Sequence, residues 1–423
     1  MDAVVLEVYG LARDQGWLAD RALERVLRRE RRLWAAERRA AAESVYGLVR
    51  WQGQLLFLLG GNPDLATLYA AFLARHGGLS AAEAARRLGV RPQALAGLEG
   101  GDARIGGLSD PALRLAAEQS LPRWIAERFL AEHGPSEAAA LARALNERAP
   151  LTIRANLVRT TREGLQAALA EEGVPSQPTR FSPWGLVLDG RANAFSFSAF
   201  KRGLFEIQDE GSQLIALAVG ARPGEKVVDA CAGAGGKSLA LAMEMHNKGS
   251  LFALDADADR LEEARRRARR DGVHNLRTRA IAAGPEAEEQ LADLAGQADR
   301  VLVDAPCSGL GALRRRPDTR WRLQPGEPER FAATQRALLA RFARLLRSGG
   351  RLVYATCAIG RTENEEVADS AAGEVPGLAP LPIAAALGEE LARDLGAEGN
   401  RLTLLPHRHG TDGFFVAAFR REG

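Results

Sequence analysis

Two cysteines stand fifty residues apart in distinctive surroundings: Cys307 in Asp304-Ala305-Pro306-Cys307-Ser308-Gly309, and Cys357 in Tyr354-Ala355-Thr356-Cys357. A thiolate is a strong nucleophile near neutral pH, so such residues can form and release a covalent intermediate. The chain has three cysteines in all, which argues against a disulfide framework and for a reducing compartment. The third, Cys231, lies in a glycine-rich turn, Asp229-Ala230-Cys231-Ala232-Gly233-Ala234-Gly235-Gly236-Lys237, and is expected to pack rather than react. The turn is nearly free of side chains. Its N–H groups can approach a ligand, and the helix that follows offers its positive end. Asp255, an acid closing the next predicted strand, suits a ribose diol. The turn alone does not separate a dinucleotide from S-adenosylmethionine. It is not a Walker A loop, because position 231, where that loop needs glycine, is Cys. Thiols beside a nucleotide-cofactor turn indicate covalent catalysis by a group-transfer enzyme.

The elements that must position these groups are legible as a pattern. Strands are predicted at Lys226–Asp229, Leu251–Asp255, Arg300–Asp304, Arg351–Ala355 and Gly413–Phe419. Helices are predicted at Ser238–Met245, Asp259–Asp271 and Leu338–Leu346, the last broken by Gly349-Gly350. Continuous apolar strands alternating with helices predict a parallel sheet covered on both faces, with ligands outside the carboxyl ends of its strands. The glycine turn, Asp255, Asp304 to Cys307 and Cys357 all fall at such ends, so one site is expected to contain them. Ahead of this α/β part, residues 146–200 read as a small α+β segment, with strands at 151–157 and 185–189 and a helix capped by Thr161. Residues 1–145 read as helix after helix, with Ser80, Asp110 and Ser136 as N-caps and Pro111 in a first turn.

At 423 residues, 46% hydrophobic and 26% charged, the composition is globular and the length accommodates two or three domains. No apolar run approaches membrane-spanning length, and Met1–Glu7, with an early acid and no basic run, is not expected to act as a signal peptide. A cytoplasmic monomer with no membrane and no metal is expected. The net charge of +3 does not by itself indicate nucleic acid. Four lysines stand beside fifty-three arginines, a bias expected of a GC-rich genome. In such a chain Lys237 marks a place where a compact ammonium fits and a guanidinium fork does not.

Two thiols and a methyl donor suit one reaction in particular. Carbon 5 of cytosine is a poor nucleophile until a thiolate adds to carbon 6 and makes the ring enamine-like. A base must then remove the carbon 5 proton before the thiol leaves by elimination. Asp304-Ala305-Pro306-Cys307-Ser308-Gly309, Thr356-Cys357 with Glu363-Asn364-Glu365-Glu366-Val367, and Asp412-Gly413-Phe414-Phe415 together resemble the Sun/RsmB family of RNA cytosine-5 methyltransferases. The resemblance covers roughly residues 150–423. It implies a Rossmann-like S-adenosylmethionine-dependent methyltransferase domain over 201–423, preceded by an RNA-binding α+β subdomain at 146–200. It implies Cys357 as nucleophile, Cys307 in product release, and Asp304 on the target base or methyl donor. It also implies Asp255 on the ribose, and Lys237 with the residues from Cys231 to Gly236, namely Ala232, Gly233, Ala234, Gly235 and Gly236, around the donor. DNA enzymes attack with the Pro-Cys thiol, so both motifs together point to RNA. Gln208-Asp209-Glu210-Gly211-Ser212-Gln213 resembles the family's stretch leading into the cofactor fold. Two departures stand out: Ala232-Gly233-Ala234-Gly235-Gly236-Lys237 replaces the usual Ala-Pro-Gly-Gly-Lys, and Arg279–Gly284 carries no acid for the adenine.

The run Arg314-Arg315-Arg316-Pro317-Asp318-Thr319-Arg320-Trp321 follows the Pro-Cys loop and combines positive charge with an aromatic, so it is expected to contact RNA. The target base must leave its stack to meet the thiols. The helical first third is similar in position and character to the NusB-like domain of the bacterial rRNA enzyme. The expected substrate is therefore bacterial 16S ribosomal RNA. The same chemistry on tRNA or 23S rRNA, a non-catalytic RNA-binding assembly factor, and a nicotinamide oxidoreductase suggested only by the glycine turn stand as alternatives.

Overall fold

Along the last strand, Phe414, Val416 and Ala418 join one buried apolar cluster, and Phe415, Ala417 and Phe419 join another. A period of two in an all-apolar strand requires that both faces of its sheet be covered. The computed structural model describes residues 1–30, 32–190 and 193–422, in two units: Met1–Arg148 with Ala312–Pro325, and Ala149–Gly311 with Gly326–Gly423.

The second unit holds two sheets. The smaller is formed by β1 (Leu151–Ala155), β2 (Ser176–Pro178), β3 (Gly185–Leu188) and β4 (Phe205–Ile207), in the order β2-β3-β1-β4. Its pairings are antiparallel, and the helix Arg162–Glu171 packs on it through Leu165 and Leu169. Thr161 caps that helix by accepting from the Gly164 N–H.

The larger sheet comprises β5 (Lys226–Asp229), β6 (Ser250–Asp255), β7 (Leu276–Ala280), β8 (Ala298–Asp304), β9 (Leu346–Thr356), β10 (Leu378–Pro380), β11 (Arg401–Leu404) and β12 (Phe414–Arg421). Its order is β10-β12-β9-β8-β5-β6-β7, with β11 on β12. The stretch β9-β8-β5-β6-β7 is parallel, but β12 runs antiparallel to β9, β10 and β11. The sheet is therefore mixed rather than wholly parallel: β12 turns back antiparallel to β11 and in that direction pairs with β9. β9 also begins at Leu346, five residues before the expected start. Gly349, at φ +75°, and Gly350 are absorbed into the strand opposite a register irregularity at Ala298 and Arg300. The preceding helix is Glu327–Ala343.

The first unit is helical. Ser80 and Glu83 form a capping box on the helix Ala81–Leu88, and Asp110 accepts from the Ala112 and Leu113 N–H groups ahead of Pro111. Ser136 is not a cap. The break falls at Gly134, φ 74°, with Pro135 opening the next turn.

The arginine-rich segment belongs to this helical unit, and burial takes Arg314 and Arg320 out of its expected role as an RNA contact. Arg320 is 0% exposed. Its Nη1 donates to the carbonyls of Gln119 (3.3 Å) and Ser120 (3.1 Å) and to Asn146 Oδ1 (2.9 Å). Trp321 gives its indole N–H to the Val49 carbonyl at 2.6 Å and lies over Gly53, where a Cβ would collide with the ring. Arg314 is buried, and its carbonyl accepts from Arg50 at 2.9 Å. Arg315 is half-buried, and of the five named residues only Arg316 is exposed. Charge density alone does not reveal burial: the Arg320 guanidinium is spent on carbonyls at the end of a helix. Among the described residues no helix is long and apolar enough to cross a membrane.

Candidate active site

The glycine turn leaves β5 at Asp229, whose side chain is buried. Ser238 donates to its Oδ2 at 2.6 Å, while Oδ1 has no partner among the described residues. Burial raises the Asp229 carboxyl to about 7, against the pull of the Ser238 hydrogen bond. Gly233 and Gly235 adopt φ +53° and +81°, a left-handed region that disfavours side chains. A Cβ at Gly235 would also lie 2.8 Å from the Ala264 Cβ. Asp255, at the end of β6, accepts from the Gly233 N–H at 2.7 Å through Oδ2 and from the Asp257 N–H at 2.9 Å through Oδ1. Arg267 clamps the Ala234 carbonyl at 2.8 Å. Asp255 thus fastens the turn from beside it, and stays half-buried.

β8 and β9 are parallel neighbours, with Asp304 opposite Ala355, so their carboxyl ends deliver Asp304, Cys307 and Cys357 to one place. The two sulfurs lie 3.3 Å apart, and both residues are half-buried. Asp304 Oδ2 pairs with Lys237 Nζ at 2.7 Å. Burial alone would lower the Lys237 ammonium, yet Asp304 holds it above its ordinary value. The thiols move in opposite directions. A hydrogen bond from Cys307 lowers Cys357, with Lys237 adding to the effect against burial and Asp304. The same contact, reinforced by burial, raises Cys307. Cys357 is therefore the readier thiolate and Cys307 the proton holder. Burial also raises Cys231, which suits a packing role.

The thiol loops are braced by groups that the motifs do not explain on their own. Gln335, on the helix Glu327–Ala343, donates to the Pro306 carbonyl at 2.9 Å and to Glu363 Oε1 at 3.2 Å. Glu363 Oε1 also accepts from the Ser308 N–H at 2.8 Å. Asn364 accepts from Thr356 Oγ1 at 2.6 Å. Glu363 and Asn364 sit in a motif already singled out, and their geometry gives that motif a bracing role. Sequence reasoning missed Gln335. Its one signal was a polar residue within the apolar stripe of Ala332, Leu339 and Phe342. The Gly311 N–H donates to the Cys357 carbonyl at 2.8 Å, and the Gly413 N–H to the Gly311 carbonyl at 2.9 Å. A Cβ on Gly311 would collide with the Gly413 carbonyl. The Asp412-Gly413-Phe414 turn is thus pressed against both cysteine loops. Asp209 caps the helix Glu210–Val219 and receives the Asp412 N–H at 3.2 Å.

The structure brings Cys357, Cys307, Asp304, Lys237, Asp255 and the turn 231–236 to adjoining strand ends. In the segment 279–284, Arg279 pairs with Asp293 and no acid is present; Glu286 is exposed. Among the described residues no group of three His, Cys, Asp or Glu could hold a metal ion.

Residues 216–420 match the family described as 16S rRNA methyltransferase RsmB/F, and residues 121–194 match the ferredoxin-like domain of RsmF/B-like methyltransferases. The chain is 36% identical over 321 residues to a probable ribosomal RNA small subunit methyltransferase B of Bacillus subtilis, covering 75% of this chain and 70% of the relative. It is 30% identical to a probable ribosomal RNA small subunit methyltransferase B of Synechocystis, with 95% of each covered. Among solved structures, that of PH0851 superposes with a TM-score of 0.79 at 27% identity, covering 99% of this chain and 98% of that one. A methyltransferase homologue from Pyrococcus horikoshii gives a TM-score of 0.62 at 28% identity, covering 74% of this chain and all of the other.

Proposed function

Because the chain belongs to the RsmB/F family of ribosomal RNA small subunit methyltransferases, we propose that it methylates carbon 5 of a cytosine in 16S ribosomal RNA through a covalent adduct on Cys357. The observation that carries this reading is the pair of sulfurs 3.3 Å apart at the adjoining carboxyl ends of β8 and β9. A single nucleophilic thiol would need no second thiol beside it.

The proposed donor is S-adenosylmethionine, and the residues fit it. The unpartnered, buried Oδ1 of Asp229 offers an acceptor to a cationic group, the half-buried Asp255 suits a ribose diol, and the turn at Gly233 to Gly236 leaves room for a ligand's polar atoms. Bound there, S-adenosylmethionine supplies a methyl group on a sulfonium centre, the electrophile that carbon 5 requires.

The chain's own residues do the rest. Cys357 enters as a thiolate, stabilised by Cys307 and Lys237. The S–C6 bond forms as the ring's double-bond electrons move toward carbon 5 and the N3 edge. Asp304, held by Lys237, meets the base edge. After methylation a water molecule acting as base takes the C5 proton, the C–H electrons re-form the C5–C6 double bond, and the S–C6 bond breaks with its electrons returning to Cys357. Cys307 assists that elimination, being next to the departing sulfur.

Cys357→Ala is expected to lower methyl transfer on the order of 10³-fold or more. Cys307→Ala should accumulate a protein–RNA adduct on denaturing gels. Sequencing of RNA from cells with and without the protein would locate the cytosine. A Cys357→Ala enzyme with normal turnover, together with a Cys307→Ala enzyme that releases product, overturns the assignment.

A further inference from the structure

Surface arginines on the helix Ala258–Asp271 mostly carry their own carboxylates: Arg265 with Glu262, Arg266 with Glu263, Arg269 with Glu262. The residues beside the end of that helix break the rule. Val158, Arg159, Lys201, Arg202, Leu204 and Arg270 line a cavity of about 580 Å³. Arg270 is paired there with Glu206 and Asp271. Arg159, Lys201 and Arg202 are exposed and have no side-chain partner among the described residues.

The frame around them is rigid. Asn156 donates to the Gly203 carbonyl at 2.7 Å and to the Asp271 carbonyl at 2.8 Å, tying the small sheet to the helix. The Arg159 guanidinium lies against Gly272, where a Cβ would come within 3.0 Å of it. The neighbouring carboxylates are engaged: Glu206 with Arg267 and Arg270, Asp271 with Arg270, and Glu172 with the Ser198 and Ala199 N–H groups. Three cations converging without a counter-charge repel one another unless an anion joins them.

An aromatic stands alongside. Phe195 is 63% exposed and meets Phe200 edge-on, with ring centroids 5.2 Å apart, while the Arg270 guanidinium covers Phe200 at 4.0 Å. The cavity also lies close to the candidate active site. Arg267, which holds the Ala234 carbonyl of the glycine turn, is one helical turn before Arg270, about 5 Å along the axis.

We propose that this cavity binds a phosphodiester of the RNA strand flanking the target nucleotide, with Arg159, Lys201 and Arg202 neutralising it and Phe195 stacking an unpaired base. The proposal rests on the RNA reading above and gives it a place. Base stacking on an exposed ring beside backbone-binding cations is how proteins hold single-stranded RNA.

The test uses the full chain carrying Arg159→Gln, Lys201→Gln and Arg202→Gln together, with a fluorescein-labelled single-stranded fragment of small-subunit RNA and anisotropy over a salt series. Removing the cations that neutralise this one phosphodiester should lower the slope of log affinity against log salt by about 0.7 and weaken binding roughly 3–10-fold near 0.1 M salt. S-adenosylmethionine binding by calorimetry should be unchanged, which verifies folding, and kcat at saturating RNA should hold while KM rises. Phe195→Ala should weaken binding without changing the slope. A triple variant with wild-type affinity and slope overturns the proposal. So does one that loses binding to polyglutamate but not to RNA, which would make an acidic protein the partner. A wild-type chain that binds the RNA but methylates no cytosine would sink the catalytic reading alone, and the slope comparison would still decide this site.

Discussion

Cys307 and Cys357 are the same side chain with opposite tendencies, and one contact separates them. If the hydrogen bond from Cys307 and the charge of Lys237 are what lower Cys357, removing either must raise it. Alkylation of Cys357 by iodoacetamide, followed by mass spectrometry across pH, should shift its midpoint upward in both Cys307→Ala and Lys237→Met; an unmoved midpoint in both would refute the cause. Asp229 makes a second test. Its folded value, about 7, lies above the ordinary value of 3.8. A raised carboxyl contributes stability that is fully present below its unfolded value and is lost as pH rises through the folded one. The ligand-free protein should therefore lose up to a few kcal/mol between about pH 4 and pH 7 on account of this group. Asp229→Asn should flatten that fall in melting temperature, and a wild-type slope in the variant would show that Asp229 is not its source. The chemistry of these residues was legible because thiols, glycines and acids at strand ends have few alternative uses. Which thiol would ionise followed only from the family resemblance and not from the residues themselves, since physically it depends on a 3.3 Å contact between residues fifty apart.

Elements explain why the thiols meet. Once β8 and β9 are parallel neighbours, the residues after Asp304 and Ala355 must emerge side by side. That much followed from apolar strands alternating with helices. The mixed sheet did not, because β12 is as apolar as its parallel neighbours and strand composition carries no direction. Nor did the role of Gln335, which depends on how the helix Glu327–Ala343 is rotated onto the sheet. Close packing of the loops gives a prediction at this scale. Gly311→Ala places a methyl group against the Gly413 carbonyl and must part the turn from the cysteine loop. Overpacking of this kind costs about 1–3 kcal/mol. Urea denaturation should register that loss, and kcat should fall further than KM changes because the thiols separate. Normal turnover in Gly311→Ala would mean that the Asp412-Gly413 turn does not position them.

At the scale of the whole molecule, the chain leaves the catalytic unit after Gly311, contributes Ala312–Pro325 to the helical unit, and returns at Gly326. This return was not legible: its only regular helix is the four residues Thr319–Arg322, too short for any periodicity, and its arginines imitate an RNA-binding run. Yet Arg320 and Trp321 fill the helical unit like core residues. Burial lowers Arg320 to about 9, a cost met only while the carbonyls of Gln119 and Ser120 and the side chain of Asn146 are in place. The segment should therefore act as a missing piece. A fragment of residues 1–148 lacks the Arg320 guanidinium that donates to the Ser120 carbonyl and the Trp321 indole that donates to the Val49 carbonyl and covers Gly53. It should melt broadly alone and sharpen on adding a 312–325 peptide in trans. Truncating a fully buried tryptophan costs about 3–5 kcal/mol, and Trp321 is half-buried, so roughly half of that is expected here. A Trp321→Ala peptide should consequently lose about an order of magnitude or more in affinity for the fragment, as measured by anisotropy of a labelled peptide. If the two peptides bind alike, or if residues 1–148 melt as sharply alone as with the peptide, the segment is a passive connector and the helical unit is complete without it.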